Sequence, residues 1–411
     1  MSGLRSRIEA LMGGGRPHPL DPLAAGLNLA AGVYGGVGRL RAALYRRGVL
    51  RARRLPCPVI AVGNLTVGGT GKTPMAIHVA GLLQQQGCRV AVVSRGYWGL
   101  AEKAGGVVSD GATLRMTAAE AGDEPYLMAL LLPGVPVVVG RNRFRAGSRA
   151  LAAFGVDILV LDDGYQHLQL ARDLNLLLLD QSAPFGNGRV LPRGVLREPA
   201  SALSRADAVV FTRAAEAFGP GPSGARLPGL GKGVPLFRCR HRPYLQGVVP
   251  AGKRWMDAAA PRAAAAGLAG PPTVAFSGIA RNDDFIQTLS GLGVAVTAAL
   301  AFPDHHRYSE ADLERIRRAA RQTGARQLVT THKDFVRLPP RSLWPLPLAV
   351  VDVRIDFGDQ AQAFSDFIRR RTAAFFSRGP RPGRVAGRPP PAGGSPPRGP
   401  RGGPPRCSGG G

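Results

Sequence analysis

The stretch Val62–Pro74, "VGNLTVGGTGKTP", follows the apolar run "PVIAV" (58–62). It opens a segment whose residues Ala76, Val79, Ala80 and Leu83 share one helical face. Strand, glycine-rich turn and helix in that order form the context a phosphate-binding loop requires. Backbone N–H groups from Gly68 to Thr73 can then converge on an anion at the helix N-terminus, where bulky side chains would block the approach. The nucleotide-binding stretch is read as Thr66, Val67, Gly68, Gly69, Thr70, Gly71, Lys72 and Thr73. Lys72 is placed to reach the β- and γ-phosphates of ATP, and Thr73 to hold Mg²⁺. The strict pattern has glycine where this chain has Thr66, but Gly69, Gly71, Lys72 and Thr73 shape the anion nest. The plainer alternative is an ordinary glycine-rich turn between strand and helix.

Working outward, "RVAVV" (89–93), "VPVVV" (135–139), "DILVL" (157–161), "LNLLLL" (174–179) and "DAVVF" (207–211) are further apolar runs separated by helical segments. Continuous rather than alternating hydrophobicity marks a parallel sheet covered on both faces. "GPGPSGARLPGLGKG" (219–233) interrupts the series and reads as a boundary or surface loop. A second alternation follows: "TVAFSGI" (273–279), "GVAVTAAL" (293–300), "QLVTT" (327–331) and "PLAVVDV" (347–353). The expected organisation is an N-terminal membrane-surface helix region (1–55), a P-loop domain (56–218), a boundary region (219–272) and a smaller α/β domain (273–376). Residues 377–411 are a Pro/Gly/Arg tail too poor in apolar surface to fold, and disorder is expected there.

The 411 residues carry a formal charge of +27, and the seven arginines of the acid-free tail account for seven of those charges, leaving +20. Charge alone suggests a nucleic-acid partner. However, 49 of the 54 basic residues are arginine, which fits GC-rich coding as well as a selected surface. No DNA- or RNA-binding motif is recognisable and only 6% of residues are aromatic, so no nucleic acid is expected. Cys57, Cys88, Cys239 and Cys407 form no CxxC pair and stand near no His cluster, and a reducing compartment is the expectation. No signal peptide is expected from "MSGLRSRIEALMGGGRPHPL" (1–20). Residues 22–38 are apolar but rich in Ala and Gly. Seven arginines follow between Arg39 and Arg54, suiting a helix lying on an anionic leaflet, or simply one packed on the domain with a solvated basic end.

Other motifs carry acid, base or metal chemistry. "ILVLDDGYQH" (158–167) is an apolar strand ending in Asp162 and Asp163, the form of a Walker B segment that brings carboxylates to the P-loop metal. Gln166 and His167 follow closely and are candidates for the metal's water shell or for positioning the nucleophile. "AGDEPYLMA" (121–129) sets Asp123 and Glu124 before Pro125, which is either a normal helix start or a catalytic carboxylate. "FPDHHRYSEADL" (302–313) offers Asp304, His305 and His306 as a helix entry or an acid–base pair. "VTTHKDFVRLP" (329–339) puts Lys333 and Asp334 at a strand end. Arg189, Arg193 and Arg197 share one loop and either clamp a phosphate or are solvated.

Read together, "VGNLTVGGTGKTP", "SRGYWG", "GDEP", "LDDGYQH", "LPRGVLREP", "FSGIARNDDF", "FPDHHRY" and "THKD" resemble, in this order, the tetraacyldisaccharide 4'-kinase family over roughly residues 20–370. Thr66 looks normal for that family. Tyr165, Trp98 and His332 stand where Phe, Gly and Glu are commoner. The resemblance implies two α/β/α (P-loop NTPase-like) domains, the larger N-terminal and the smaller C-terminal, joined by a short β linker, with an N-terminal amphipathic helix. It implies ATP- and Mg²⁺-dependent phosphorylation of the 4'-hydroxyl of a lipid A disaccharide 1-phosphate. The place implied is the cytoplasmic face of the bacterial inner membrane, where the protein would be peripheral on an anionic surface. Asp123 would be the catalytic base, assisted by His305 or its neighbour His306, with Lys72 on the phosphates and Thr73, Asp162, Asp163 and Gln166 around the metal. A P-loop switch ATPase without a lipid acceptor is the competing reading, one that has no need of the "GDEP" and "DHH" pair.

Overall fold

The computed structural model describes residues 2–15, 18, 21–214, 227, 229–253 and 268–377. Two helices come first, α1 (Ser2–Met12) and α2 (Pro22–Arg46), the latter capped by Asp21, whose carboxylate accepts from the Leu23 and Ala24 amides. The first sheet is built from β1 (Val59–Asn64), β2 (Val90–Ser94), β3 (Gly106–Ser109), β4 (Val137–Val139), β5 (Ile158–Leu161), β6 (Leu174–Asp180), β7 (Ala208–Thr212) and β8 (Leu236–Arg238). Its helices are α3 (Lys72–Gln85), α4 (Ala118–Ala121), α5 (Asp123–Leu131) and α6 (Arg143–Phe154). The second sheet contains β9 (Arg240–Val249), β10 (Thr273–Ser277), β11 (Val296–Ala301), β12 (Gln327–Thr331) and β13 (Leu348–Asp356), with α7 (Asn282–Gly291), α8 (Glu310–Thr323) and α9 (His332–Phe335). Helix α10 (Ala361–Phe376) ends the described chain. The Pro/Gly/Arg tail and most of the 219–233 loop lie outside the described residues.

The strand order of the first sheet is β3-β4-β2-β5-β1-β6-β7-β8, parallel throughout except for β3 against β4. The apolar runs decide this. Ile60 and Val62 face Met75, Val79 and Leu83 of α3, whereas Val59 and Ala61 face Ala146 and Ala150 of α6. Both faces of β1 are therefore buried, and burying each of its Val and Ile side chains contributes about 1.5–3 kcal/mol. Because β5 lies directly between β2 and β1, the end of β5 emerges beside the loop that follows β1.

The second sheet has the order β11-β10-β12-β13-β9, with β9 antiparallel to β13. Phe276 and Leu328 pack on Leu313 and Ile316 of α8, and Ala275 and Val329 on Phe285 and Leu289 of α7. The region read as a boundary is in fact partly β structure: β8 extends the first sheet and β9, two residues on, edges the second. The final helix does not stay with the second sheet. Phe364, Phe367 and Ile368 join the core of the first, beside Val79 and Phe237.

Candidate active site

The loop after β1 wraps the N-terminus of α3. Gly71 caps that helix at φ +83° and Gly68 lies at φ +105°, conformations that favour glycine. A Cβ on Gly71 would come 2.2 Å from Nε2 of His241 on β9, so this position is closed to larger residues on two counts. The loop is braced from behind. Val67 N–H donates to the Val195 carbonyl at 2.7 Å, Arg197 N–H to the Leu65 carbonyl at 2.7 Å, and Asn64 Nδ2 to the Thr70 hydroxyl at 2.8 Å. Val67 through Thr73 line a cavity of about 1700 Å³. Thr66 does not line it: it is buried beneath the loop, where its hydroxyl accepts from Asn64 Nδ2 at 3.3 Å.

Asp162 and Asp163 immediately follow β5 and line the same cavity. Asp163 sits at φ +49°, a strained setting for a residue with a Cβ. Arg197 donates to its Oδ2 at 2.8 Å, and Lys72 Nζ stands 3.9 Å from its Oδ1. Burial alone would raise Asp163, but the Lys72 and Arg197 charges outweigh it and hold this carboxyl below its ordinary value. Asp162 is different. Burial, then the charges of Glu124 and Asp163, push it up to about 7. Oδ1 of both residues is buried with no hydrogen-bond partner. Gln166 also lines the cavity, with Nε2 donating to the Asn64 carbonyl at 2.5 Å.

Asp123 begins α5. The carboxylate is gripped on Oδ2 from two sides, with His305 Nδ1 at 3.0 Å and Arg337 Nε donating at 2.6 Å. Burial works against its ionisation, yet the His305 hydrogen bond and the Arg337 charge hold it below its ordinary value. His305 itself adopts φ +59°, with its amide bonded to the Gly278 carbonyl at 3.2 Å, and the Trp98 ring lies parallel to its imidazole at 6.3 Å. The adjacent His306 is turned away. It reaches Asp312 Oδ2 at 3.0 Å within the capping box of α8 and packs on Phe302. Geometry thus separates the two histidines that spacing left together. Glu124 meets Lys333 Nζ at 2.5 Å, and that charge, above all, takes its carboxyl down to about 2.

Three arrangements were not legible beforehand. Arg337, 3% exposed, holds both Asp123 and the Asp334 carboxylate, the latter at 3.2 Å, so "THKD" supports the Asp123 site through Asp334. Asp334 in α9 and Arg337 in the turn after it are three residues apart, a spacing that would have flagged them. His332 is buried against Asp352 at 2.6 Å. Buried Arg143, whose guanidinium burial lowers to about 10, lines the cavity within the fields of Asp162 and Asp163. The three loop arginines do not converge on a phosphate clamp. Arg189 binds Asn28 Oδ1, Arg193 is buried on the Leu11 carbonyl, and Arg197 is committed to Asp163.

The cavity thus joins the glycine-rich loop, a carboxylate pair and the Asp123 carboxylate of α5, which His305 and Arg337 reach from the region of the second sheet. The family described as Tetraacyldisaccharide-1-P 4'-kinase matches residues 23–373. A tetraacyldisaccharide 4'-kinase of Desulfatibacillum aliphaticivorans is 46% identical over 90% of this chain and 99% of its own length. One of Pelobacter propionicus is 48% identical over 74% of this chain and 81% of its own. The crystal structure of LpxK from Aquifex aeolicus in complex with ATP superposes with a TM-score of 0.65 at 31% identity, covering 85% of this chain and 99% of that one. The chain belongs to the tetraacyldisaccharide 4'-kinase family.

Proposed function

We propose that this member of the family is a kinase that transfers the γ-phosphate of ATP to the 4'-hydroxyl of a tetraacyldisaccharide 1-phosphate, a step of lipid A biosynthesis. The observation that carries the reading is the placement of the Asp123–His305 pair on the wall of the cavity that also holds the P-loop. A switch ATPase has no use for such a base.

Lys72 and the amides of Gly68 to Thr73 would hold the β- and γ-phosphates. Among the described residues no group of three or more His, Cys, Asp or Glu side chains could cage a metal. Mg²⁺ needs no such cage, since one or two carboxylates with phosphate oxygens and water suffice. Oδ1 of Asp162 and Oδ1 of Asp163 accept no hydrogen bond and fit that donor set; Thr73 and Gln166 line the same cavity, and we read Thr73 as a further metal ligand and Gln166 as a partner of the metal's water shell. A carboxyl lifted to about 7 by burial is one that a divalent cation would return to its charged form. When bound, Mg²⁺ would neutralise charge on the phosphate oxygens. Both partners of Asp123 fall on Oδ2, which leaves Oδ1 to accept the proton of the sugar hydroxyl, with His305 sharing the load and Arg337 fixing the carboxylate plane.

The acyl substrate requires a route from lipid. Helix α2 rests on the body through Ala24, Ala31 and Gly35, while Leu29, Val33, Val37 and Leu40 stand more than 60% exposed on another face. No helix among the described residues is long and apolar enough to cross a membrane. We read α2 as an amphipathic surface anchor, with Arg39, Arg41, Arg46 and Arg47 suited to anionic lipid on the cytoplasmic face of the inner membrane. Tyr34, Val37 and Arg41 also line the cavity, so the anchor leads to the site. In this reading the first sheet binds nucleotide and the second carries His305 to it, with the division falling in 219–272.

The test is a kinase assay with labelled ATP, Mg²⁺ and lipid A disaccharide 1-phosphate in detergent micelles. A labelled bis-phosphorylated lipid is the expected product. ATP hydrolysis without labelled lipid would reject the acceptor and favour the switch ATPase.

A further inference from the structure

We infer that Arg213 is a positioning residue for the nucleotide, anchoring the phosphate-binding loop through the Gly69 carbonyl and tying it to α7 of the second sheet. The inference deepens the kinase reading and rests on its ATP site.

Arg213 follows the last residue of β7 and therefore rises at the strand ends where the loop lies. It adopts φ +57°, a region unfavourable for a residue with a Cβ and retained only where the surroundings over-determine it. Here they do. Nη1 donates to Asp180 Oδ2 at 3.0 Å, and Nη2 donates to the Gly69 carbonyl at 2.9 Å and lies 3.5 Å from Asp284 Oδ2. Asp180, at the end of β6, is 6% exposed, and its other oxygen accepts from Ser182 N–H at 3.1 Å and Ser182 Oγ at 2.7 Å. Arg281 completes the cluster, 3.5 Å from Asp180 and 3.6 Å from Asp284 in the first turn of α7.

The consequence follows from peptide geometry. The carbonyl and N–H of one planar peptide point in opposite directions, so fixing the Gly69 carbonyl fixes the heading of Thr70 N–H. That N–H now faces the Gly68 carbonyl at 3.2 Å, a contact it can exchange for a phosphate oxygen without moving the anchored carbonyl. With glycine at positions 68, 69 and 71 the loop has little conformational preference of its own, so orientation must come from outside. Arg213 is balanced by two carboxylates, so its part is played through Gly69 rather than as a free cation on the phosphates. Because Asp284 belongs to α7, the second sheet contributes to how well the loop is set.

The experiment is titration of the full chain with a non-hydrolysable ATP analogue and Mg²⁺, without lipid, for the wild type, Arg213→Met, Arg213→Lys and Asp284→Asn, alongside KM for ATP and kcat. Arg213→Met is expected to weaken analogue binding about ten- to a hundredfold, the range for losing a charged hydrogen bond, with a smaller change in kcat at saturating ATP. Arg213→Lys restores part of the loss. Asp284→Asn weakens binding in the same direction, and adding it to Arg213→Met changes little. Wild-type affinity in Arg213→Met with only a lowered melting temperature would make the residue merely structural and overturn the inference. Should Arg213→Met fail to fold, unchanged affinity in Asp284→Asn, a half-exposed site, overturns the link to α7. A wild type that binds the analogue but phosphorylates no lipid defeats the kinase reading and leaves this inference standing.

Discussion

His305 Nδ1 lies 3.0 Å from Asp123 Oδ2, across 182 residues of sequence, while His306 beside it is spent on Asp312. A base assisted by one histidine and not by its neighbour should show that asymmetry in turnover. Asp123→Ala is expected to lower kcat about 10²–10⁴-fold, the range for losing a general base. His305→Ala should fall in the same direction by less, and His306→Ala should keep most of the activity. Steady-state lipid kinase assays check this, and near-normal turnover in Asp123→Ala would remove the base assignment.

Lys72 reaches toward Asp163 at 3.9 Å, leaving its ammonium in the cavity where phosphates would sit. Lys72→Ala should weaken ATP use and ATP hydrolysis alike. Unchanged ATP turnover would end the P-loop reading.

Asp334 is completely buried and accepts hydrogen bonds from Gly278 N–H, Tyr308 Oη, Thr331 Oγ1 and Arg337 Nη1. Arg337 would keep Asp123 and the Gly278 carbonyl, but the Tyr308 hydroxyl and Gly278 N–H would lose their acceptor, and each buried polar group left unsatisfied costs about 1–3 kcal/mol. Asp334→Ala should therefore lower the unfolding free energy by about that much in denaturant melts and reduce kcat as well, since Arg337 then loses one of the partners that hold it against Asp123. A loss below about 1 kcal/mol would show that the stranded groups find other partners.

His241 is partly buried beside Gly71, with its Nε2 shielded from solvent. Burial first, then the Arg213 charge, lowers its imidazole from 6.5 to about 4, against the opposing pull of Asp180 and Asp284. Between those values the unfolded chain binds a proton that the folded chain refuses, so stability falls as pH drops from 6.5 toward 4. His241→Gln should show a shallower acid decline in melting temperature than the wild type. Parallel curves would mean that His241 is protonated in the fold.

Leu29, Val33, Val37 and Leu40 present an exposed apolar face on α2. Replacing Val33 and Val37 by serine should cut binding to anionic vesicles at least about tenfold, given about 1.5–3 kcal/mol for each apolar side chain buried. Sedimentation with vesicles decides it, and undiminished binding would move the lipid contact elsewhere.

Much of the first sheet was readable because a parallel strand buried on both faces must be apolar without interruption, and "DILVL" and "LNLLLL" cannot be confused with surface. Strand β9 escaped because an edge strand carries Arg240, His241 and Arg242, and nothing local distinguishes it from a loop until β13 supplies its partner. Strand β3, four residues long and antiparallel at an edge of the first sheet, was hidden because it too is a short edge strand. The site divides similarly. The glycine-rich loop between β1 and α3 is a local feature of consecutive residues, and so its residues announce themselves in order.

The cluster around Asp123 is not local. What the amino-acid order determined alone was the glycine-rich turn at Gly68–Thr73, the apolar strands that frame it and the two carboxylates that follow β5, because each depends on neighbours in the chain. What only the tertiary structure decided was which histidine meets Asp123, that Arg337 and Asp334 support it, and that Arg193 and Arg197 are already engaged. Those choices are made by side chains from distant segments competing for a few buried oxygens, and only packing settles that competition.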